Sequence, residues 1–115
     1  ARTGSAFSEH MLFTRRDLKI TGQLDVGTLT QPSGAKSSIS GCAICKSLIF
    51  AENNQREGFA SLRCGTLDNS IDVVPKAHLW VQSKQKWVLL PADAVKMDRQ
   101  PETNDEWLKF IGLVQ

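Results

Sequence analysis

The chain has 115 residues, 41% of them hydrophobic and 23% charged, with a net charge of +2. That is an ordinary composition for one globular domain spanning 1–115. Up to residue 57 there are seven Lys/Arg and five Asp/Glu, and beyond it seven of each, so neither half forms a basic arm and no nucleic-acid partner is indicated. No apolar run nears the ~20 residues that cross a bilayer, so no membrane partner is expected. An odd cysteine count of three argues against a secreted disulfide framework and points to a reducing, cytoplasmic setting.

In chain order, "ARTGSAF" reads like the inside of a protein rather than its start. "HMLFT" at 10–14 reads as a strand, "RRD" interrupts it, and "LKIT" at 18–21 alternates again. "QLDVGTLT" places Leu24, Val26 and Thr28 on one face and Asp25 on the other. Pro32, Ser33 and Gly34 mark a turn, predicting a hairpin that runs from Leu24 to Ile39 and delivers the chain to Cys42. "SLIFAE" reads as a strand leaving that point, "NNQREG" as a loop and "TLDNS" as a turn. "FASLRCG" alternates, with Ala60, Leu62 and Cys64 on one side. "AHLWVQS" and "KWVLLP" read as two further strands. Near the end, Thr103 and Glu106 fit a capping box, Trp107, Phe110 and Ile111 form one apolar helix face, and Gly112 suits a C-terminal stop. The fold class expected is mainly β, with a short C-terminal helix.

Cys42 and Cys45 stand two residues apart in "SGCAICKSLIF". Three chemistries fit that spacing. A zinc knuckle presents two thiolates from a tight turn, and its turn favours Gly soon after the second cysteine, where Lys46 stands here. A redox pair sits at a helix N-terminus after a strand, within a βαβ pattern that is missing here. Two small buried hydrophobes in a turn are the third possibility. Zinc takes four ligands in a structural site. Cys64, His10 and His78 are the other sulfur and imidazole groups: Cys64 falls on an apolar strand face, His78 shares one side of a strand with Trp80, and nothing in the sequence pairs with His10.

"TGSAFS" at 3–8, "CAICKSLIF" at 42–50, "CGTLDNS" at 64–70, "AHLWVQS" at 77–83 and "KWVLLP" at 86–91 together resemble the glutathione-dependent formaldehyde-activating enzyme family, which includes centromere protein V. The resemblance runs from Thr3 to about Pro91. It implies small antiparallel sheets in a β-tent, or Mss4-like, fold. It also implies two zinc sites. The structural one takes two cysteines from an early Cys-x-Cys and two from the later pair, here Cys42 and Cys45. The other, of catalytic type, uses a cysteine-rich segment just before "TGSAF". On that basis the chain is expected to be an incomplete member lacking this segment, carrying fewer than two zinc ions, with no catalytic residue assigned. Gly41, Lys46 and Cys64 depart from the family pattern.

The family implies carbon–sulfur lyase chemistry on glutathione adducts, with glutathione as co-substrate. Here the expectation is a binding or assembly module, or a vestigial one. The alternatives are an active lyase whose missing zinc ligands come from another segment or chain, and a redox Cys-x-x-Cys protein. Ser5, Phe7, His78 and Trp80 are the candidates for a remnant pocket able to take a small thiol adduct. Asp68 is read as a turn cap. A homo-oligomer is expected, with "HMLFT" at its interface, because an unpaired edge strand presents free backbone groups that another chain can satisfy.

Overall fold

A computed structural model describes residues 3–114. The elements in order are β1 (His10–Thr14), β2 (Leu24–Thr30), β3 (Lys36–Cys42), β4 (Leu48–Asn53), β5 (Phe59–Arg63), β6 (Ala77–His78), β7 (Val95–Lys96) and α1 (Asn104–Val114). The chain separates into two compact units, Glu9–Ser70 and the described residues of 1–8 and 71–115. The fold is mainly β, as its sequence pattern predicts.

The first unit is one antiparallel sheet in the order β1-β5-β4-β3-β2. Its central strands succeed each other through short turns, which favours antiparallel neighbours. Gln31 and Gly34 close the turn between β2 and β3, where the Gln31 N–H donates to the Ala35 carbonyl at 2.7 Å and the Gly34 N–H to the Gln31 carbonyl at 2.9 Å. Gly34 takes φ +87°, a conformation that costs glycine little. The polar "NNQREG" loop joins β4 to β5 as its composition predicts.

Alternation on these strands builds the core. Phe50 pairs with Leu62 and Leu62 with Met11, while Ala60 pairs with Phe13, so these side chains share one face. Phe50, Ala60 and Leu62 are buried, and Phe13, Leu18, Leu24, Ile49 and Leu67 pack around them. Arg15 closes one side: its guanidinium lies 5.6 Å from the Phe50 ring centre, and its Nε donates to Glu52 at 2.8 Å. The "LKIT" segment is not a strand. The Arg15 N–H ends the β1 ladder on the Gly58 carbonyl at 2.8 Å, a single 3-10 turn follows over Arg15–Asp17, and Leu18 turns toward the core instead of continuing along the sheet.

In the second unit, β6 and β7 form a short parallel pair. The two longer strands expected here are not present. After His78 the backbone reaches Trp80 in the left-handed region at φ 58°, and a 3-10 turn over Val81–Ser83 replaces the strand. "KWVLLP" holds a local turn, with the Val88 N–H donating to the Gln85 carbonyl at 3.1 Å. Helix α1 has the expected cap: the Glu106 N–H donates to Thr103 Oγ1 at 3.1 Å. The Glu106 carboxylate reaches back to the Glu102 N–H at 2.7 Å, one residue before the position a capping box uses. Trp107 and Phe110 meet edge to face at 5.8 Å. Gly112 does not stop the helix, which continues to Val114. Among the described residues no helix is long and apolar enough to cross a membrane.

Candidate metal site

Cys42 ends β3, Cys45 lies in the turn, and β4 begins at Leu48. Two backbone bonds close this hairpin: the Cys42 N–H donates to the Ser47 carbonyl at 2.9 Å, and the Lys46 N–H to the Cys42 carbonyl at 2.9 Å. The turn needs a left-handed residue, and Lys46 supplies it at φ 65°. An L-residue adopts this conformation at a cost of ~1–2 kcal/mol. The side chain offsets part of that through an exposed ion pair between its ammonium and Asp25 on β2. Lysine at this position, a departure from the family pattern, therefore leaves the turn intact.

Gly41, a second departure, has its own reason. Across the sheet Ser40 pairs with Phe50 but Gly41 pairs with Leu48, so Ile49 is an extra residue. The resulting irregularity draws the Ser47 carbonyl against Gly41, where a Cβ would lie 3.0 Å from that oxygen. Irregularities of this kind bend a strand and re-aim the residues beside it. Here they set the direction of the cysteine turn.

An amide and a hydroxyl lie against the two sulfurs. The Ile44 N–H points at Cys42 Sγ at 3.4 Å, and Ser47 Oγ lies 3.3 Å from Cys45 Sγ. The Ser47 hydroxyl, then the Ser47 backbone and then Cys42 hold the Cys45 thiol down to about 7 from the usual 9.0. Hydrogen bonds to the charged form favour a thiolate, which is the form that binds metal. Beside the pair, Asp25, Gly27, Ile39, Gly41 and Cys42 line a shallow cleft of ≈ 380 Å³. The pair sits in a hairpin turn rather than at a helix N-terminus, so the structural context of a thioredoxin-like redox centre is not the one it occupies.

The donor set fits one half of a four-thiolate zinc site. Both sulfurs are accessible to some degree, with the Ile44 N–H on Cys42 and the Ser47 hydroxyl beside Cys45. Cys42 and Cys45 would hold the metal, and its role there would be structural. Cys64 does not join them. It is 1% exposed, in the core, and its N–H donates to the Glu9 carbonyl at 3.0 Å. Burial and the Glu9 carboxylate raise its thiol above the usual value. Among the described residues no three His, Cys, Asp or Glu side chains cluster as metal ligands.

His10, which has no evident partner in the sequence, does have one: its Nδ1 lies 2.6 Å from Ser61 Oγ on the neighbouring strand. Burial and then the Arg63 charge lower its pKa. Asp68 is exposed on its turn.

The pocket candidates lie in the second unit. Ser5 is exposed and its N–H donates to Thr3 Oγ1 at 3.2 Å, and Phe7 is 67% exposed. His78 and Trp80 do not share one strand face, because β6 ends between them. The His78 Nε2 is buried without a hydrogen-bond partner among the described residues. Trp80 donates through its Nε1 to Gln100 at 3.2 Å and lies under the Arg99 guanidinium at 5.4 Å. No hydrogen bond among the described residues joins any two of the four candidates. Ser47 was missed by the sequence reading. Its signal is its place two residues after Cys45, where a hydroxyl can reach the sulfur.

A five-stranded antiparallel sheet whose hairpin turn presents two neighbouring thiols defines a small β protein with a knuckle-type turn. The family model described as glutathione-dependent formaldehyde-activating enzyme matches residues 1–83, and the chain belongs to that family. Comparison with curated proteins and with solved structures finds no match.

Proposed function

We propose that this chain acts as a binding or assembly module of the family, contributing Cys42 and Cys45 as half of a structural zinc site. The observation that supports this is the turn itself: two neighbouring sulfurs, one facing the Ile44 amide and the other Ser47, on a hairpin held by Gly41 and Lys46. Lyase chemistry of the family type needs zinc with three protein ligands and an open position, where the metal polarises substrate or holds a thiolate. The donors placed here supply two. The second reading is that another segment or chain completes the ligand set and turnover on a small glutathione adduct follows. The same half-site supports that reading, and the two differ in metal content and activity.

Elemental analysis of protein purified without chelator is expected to give fewer than two zinc ions per chain. Cobalt(II) added in place of zinc is expected to show thiolate-to-metal absorption that disappears in Cys42→Ser and in Cys45→Ser. Two zinc ions per chain, or glutathione-dependent turnover abolished by Cys42→Ser, would overturn the module reading in favour of the second. Absorption that survives both substitutions would remove Cys42 and Cys45 as ligands.

A further inference from the structure

The outer strand β1 is self-complementary about Leu12. Among the described residues, β1 pairs only with β5 and is an outer strand of the sheet. The Cys64 N–H donates to the Glu9 carbonyl at 3.0 Å and the Arg15 N–H to the Gly58 carbonyl at 2.8 Å. Antiparallel ladders alternate, so Met11 and Phe13 exchange bonds with β5 while the N–H and C=O of Leu12 point away from β5. Leu12 is also 39% exposed.

From this edge we infer that two copies of the chain join through antiparallel β1 strands, with Leu12 on the two-fold axis. This rests on the assembly reading above and names its partner. The register follows from chemistry. With Leu12 against Leu12 of the second copy, Met11 meets Phe13, His10 meets Thr14 and Glu9 meets Arg15, each twice by symmetry. Apolar positions thus face apolar ones and polar face polar, while Arg15 keeps its own partner Glu52. Moving the axis to Phe13 places Glu9 against Asp17 and Met11 against Arg15. Moving it to Met11 places Phe13 against Glu9.

The other outer strand, β2, lacks this match. With its axis at Gly27, Asp25 would face Leu29, and at Val26 it would face Gly27. Charge on an edge is one of the devices that keep sheets from pairing, and β1 carries no charged residue between His10 and Thr14. A two-fold contact also closes on itself rather than growing into a fibre.

Light scattering on the whole chain at tens of micromolar is expected to give a dimer. Leu12→Pro removes an N–H that β5 does not use, so the folded sheet is retained by circular dichroism. The dissociation constant is expected to rise about thirtyfold through the two hydrogen bonds lost at the axis. Leu12→Cys provides a second readout that does not depend on a proline being tolerated. Opposed residues of a bonded antiparallel pair stand ~5.5 Å apart at Cα, within disulfide reach, so oxidation is expected to give a covalent dimer. Both Leu12→Cys and Thr14→Cys are made in a Cys42→Ser, Cys45→Ser background, because the exposed Cys45 thiol would otherwise oxidise on its own. Thr14→Cys and the background chain, oxidised alongside, are expected not to cross-link.

A monomer at that concentration would overturn both the contact and assembly through a second copy. A dimer indifferent to Leu12→Pro, in which Leu12→Cys fails to cross-link, would overturn the β1 contact while leaving the assembly reading standing. The zinc measurement tests the half-site independently of either outcome.

Discussion

Gly41 lies tightly against the carbonyl of Ser47: a Cβ built there would stand 3.0 Å from the oxygen and 3.5 Å from its carbon, so that carbonyl would have to shift by a few tenths of an ångström. That carbonyl also accepts the Cys42 N–H, so the contact fixes the hairpin on which both turn cysteines ride. Gly41→Ala is therefore expected to cost ~1–3 kcal/mol, the usual range for forcing atoms into filled space. It should also weaken cobalt binding at the cysteine pair. Urea unfolding and a cobalt titration check the two effects. A variant as stable as the parent would show that the strand irregularity relaxes freely.

Lys46 holds a left-handed conformation that glycine adopts more easily. Lys46→Gly is expected to stabilise the chain by roughly 0.5 kcal/mol, the relief of ~1 kcal/mol of strain less about 0.5 for an exposed ion pair. Lys46→Val should move the other way, because a β-branched residue tolerates positive φ worst. The urea midpoints of the two variants should fall on opposite sides of the parent's.

Phe50 carries the core, packed with Ala60 and Leu62 and covered by Arg15. Phe50→Ala is expected to destabilise by ~3–5 kcal/mol, the range for truncating a buried aromatic side chain. Thermal or denaturant unfolding measures it. A loss below about 1 kcal/mol would mean that this unit is not organised around that ring.

Cys45 is expected to react with an alkylating reagent along a curve whose midpoint lies about two pH units below that of an ordinary thiol, near pH 7. Ser47→Ala removes the largest cause of the shift and should move the midpoint upward. The sign for folding follows. A thiol with a depressed native pKa favours the folded chain above its ordinary value of 9.0, and the contribution fades as pH falls through about 7. The test is the pH profile of alkylation at Cys45, followed by mass spectrometry in metal-free protein. A midpoint unmoved by Ser47→Ala would remove Ser47 as the cause.

Much of the sheet is legible in the residues. Leu24–Thr30, the Pro-Ser-Gly turn and the alternation of Ala60, Leu62 and Cys64 are local patterns, and local patterns report which face a side chain takes. The cysteine pair and the helix cap at Thr103 are legible for the same reason. "LKIT" and "KWVLLP" misled because short apolar runs carry no information about whether a neighbouring strand is there to receive them. Leu18 is drawn into the core after Arg15, whereas Leu89 is 90% exposed in a segment that finds no ladder.

By itself, the sequence determined the strand periods, the turn positions, the paired cysteines and the family to which the chain belongs. Tertiary structure alone decided that β1 pairs with β5, bringing His10 to Ser61 across 51 residues and leaving Leu12 on an outer strand. It also decided that Lys46 turns left-handed and that Gly41 meets the Ser47 carbonyl. The physical reason is range. Period and turn chemistry depend on a few consecutive residues, whereas strand order, register and close backbone contacts exist only once distant segments have met.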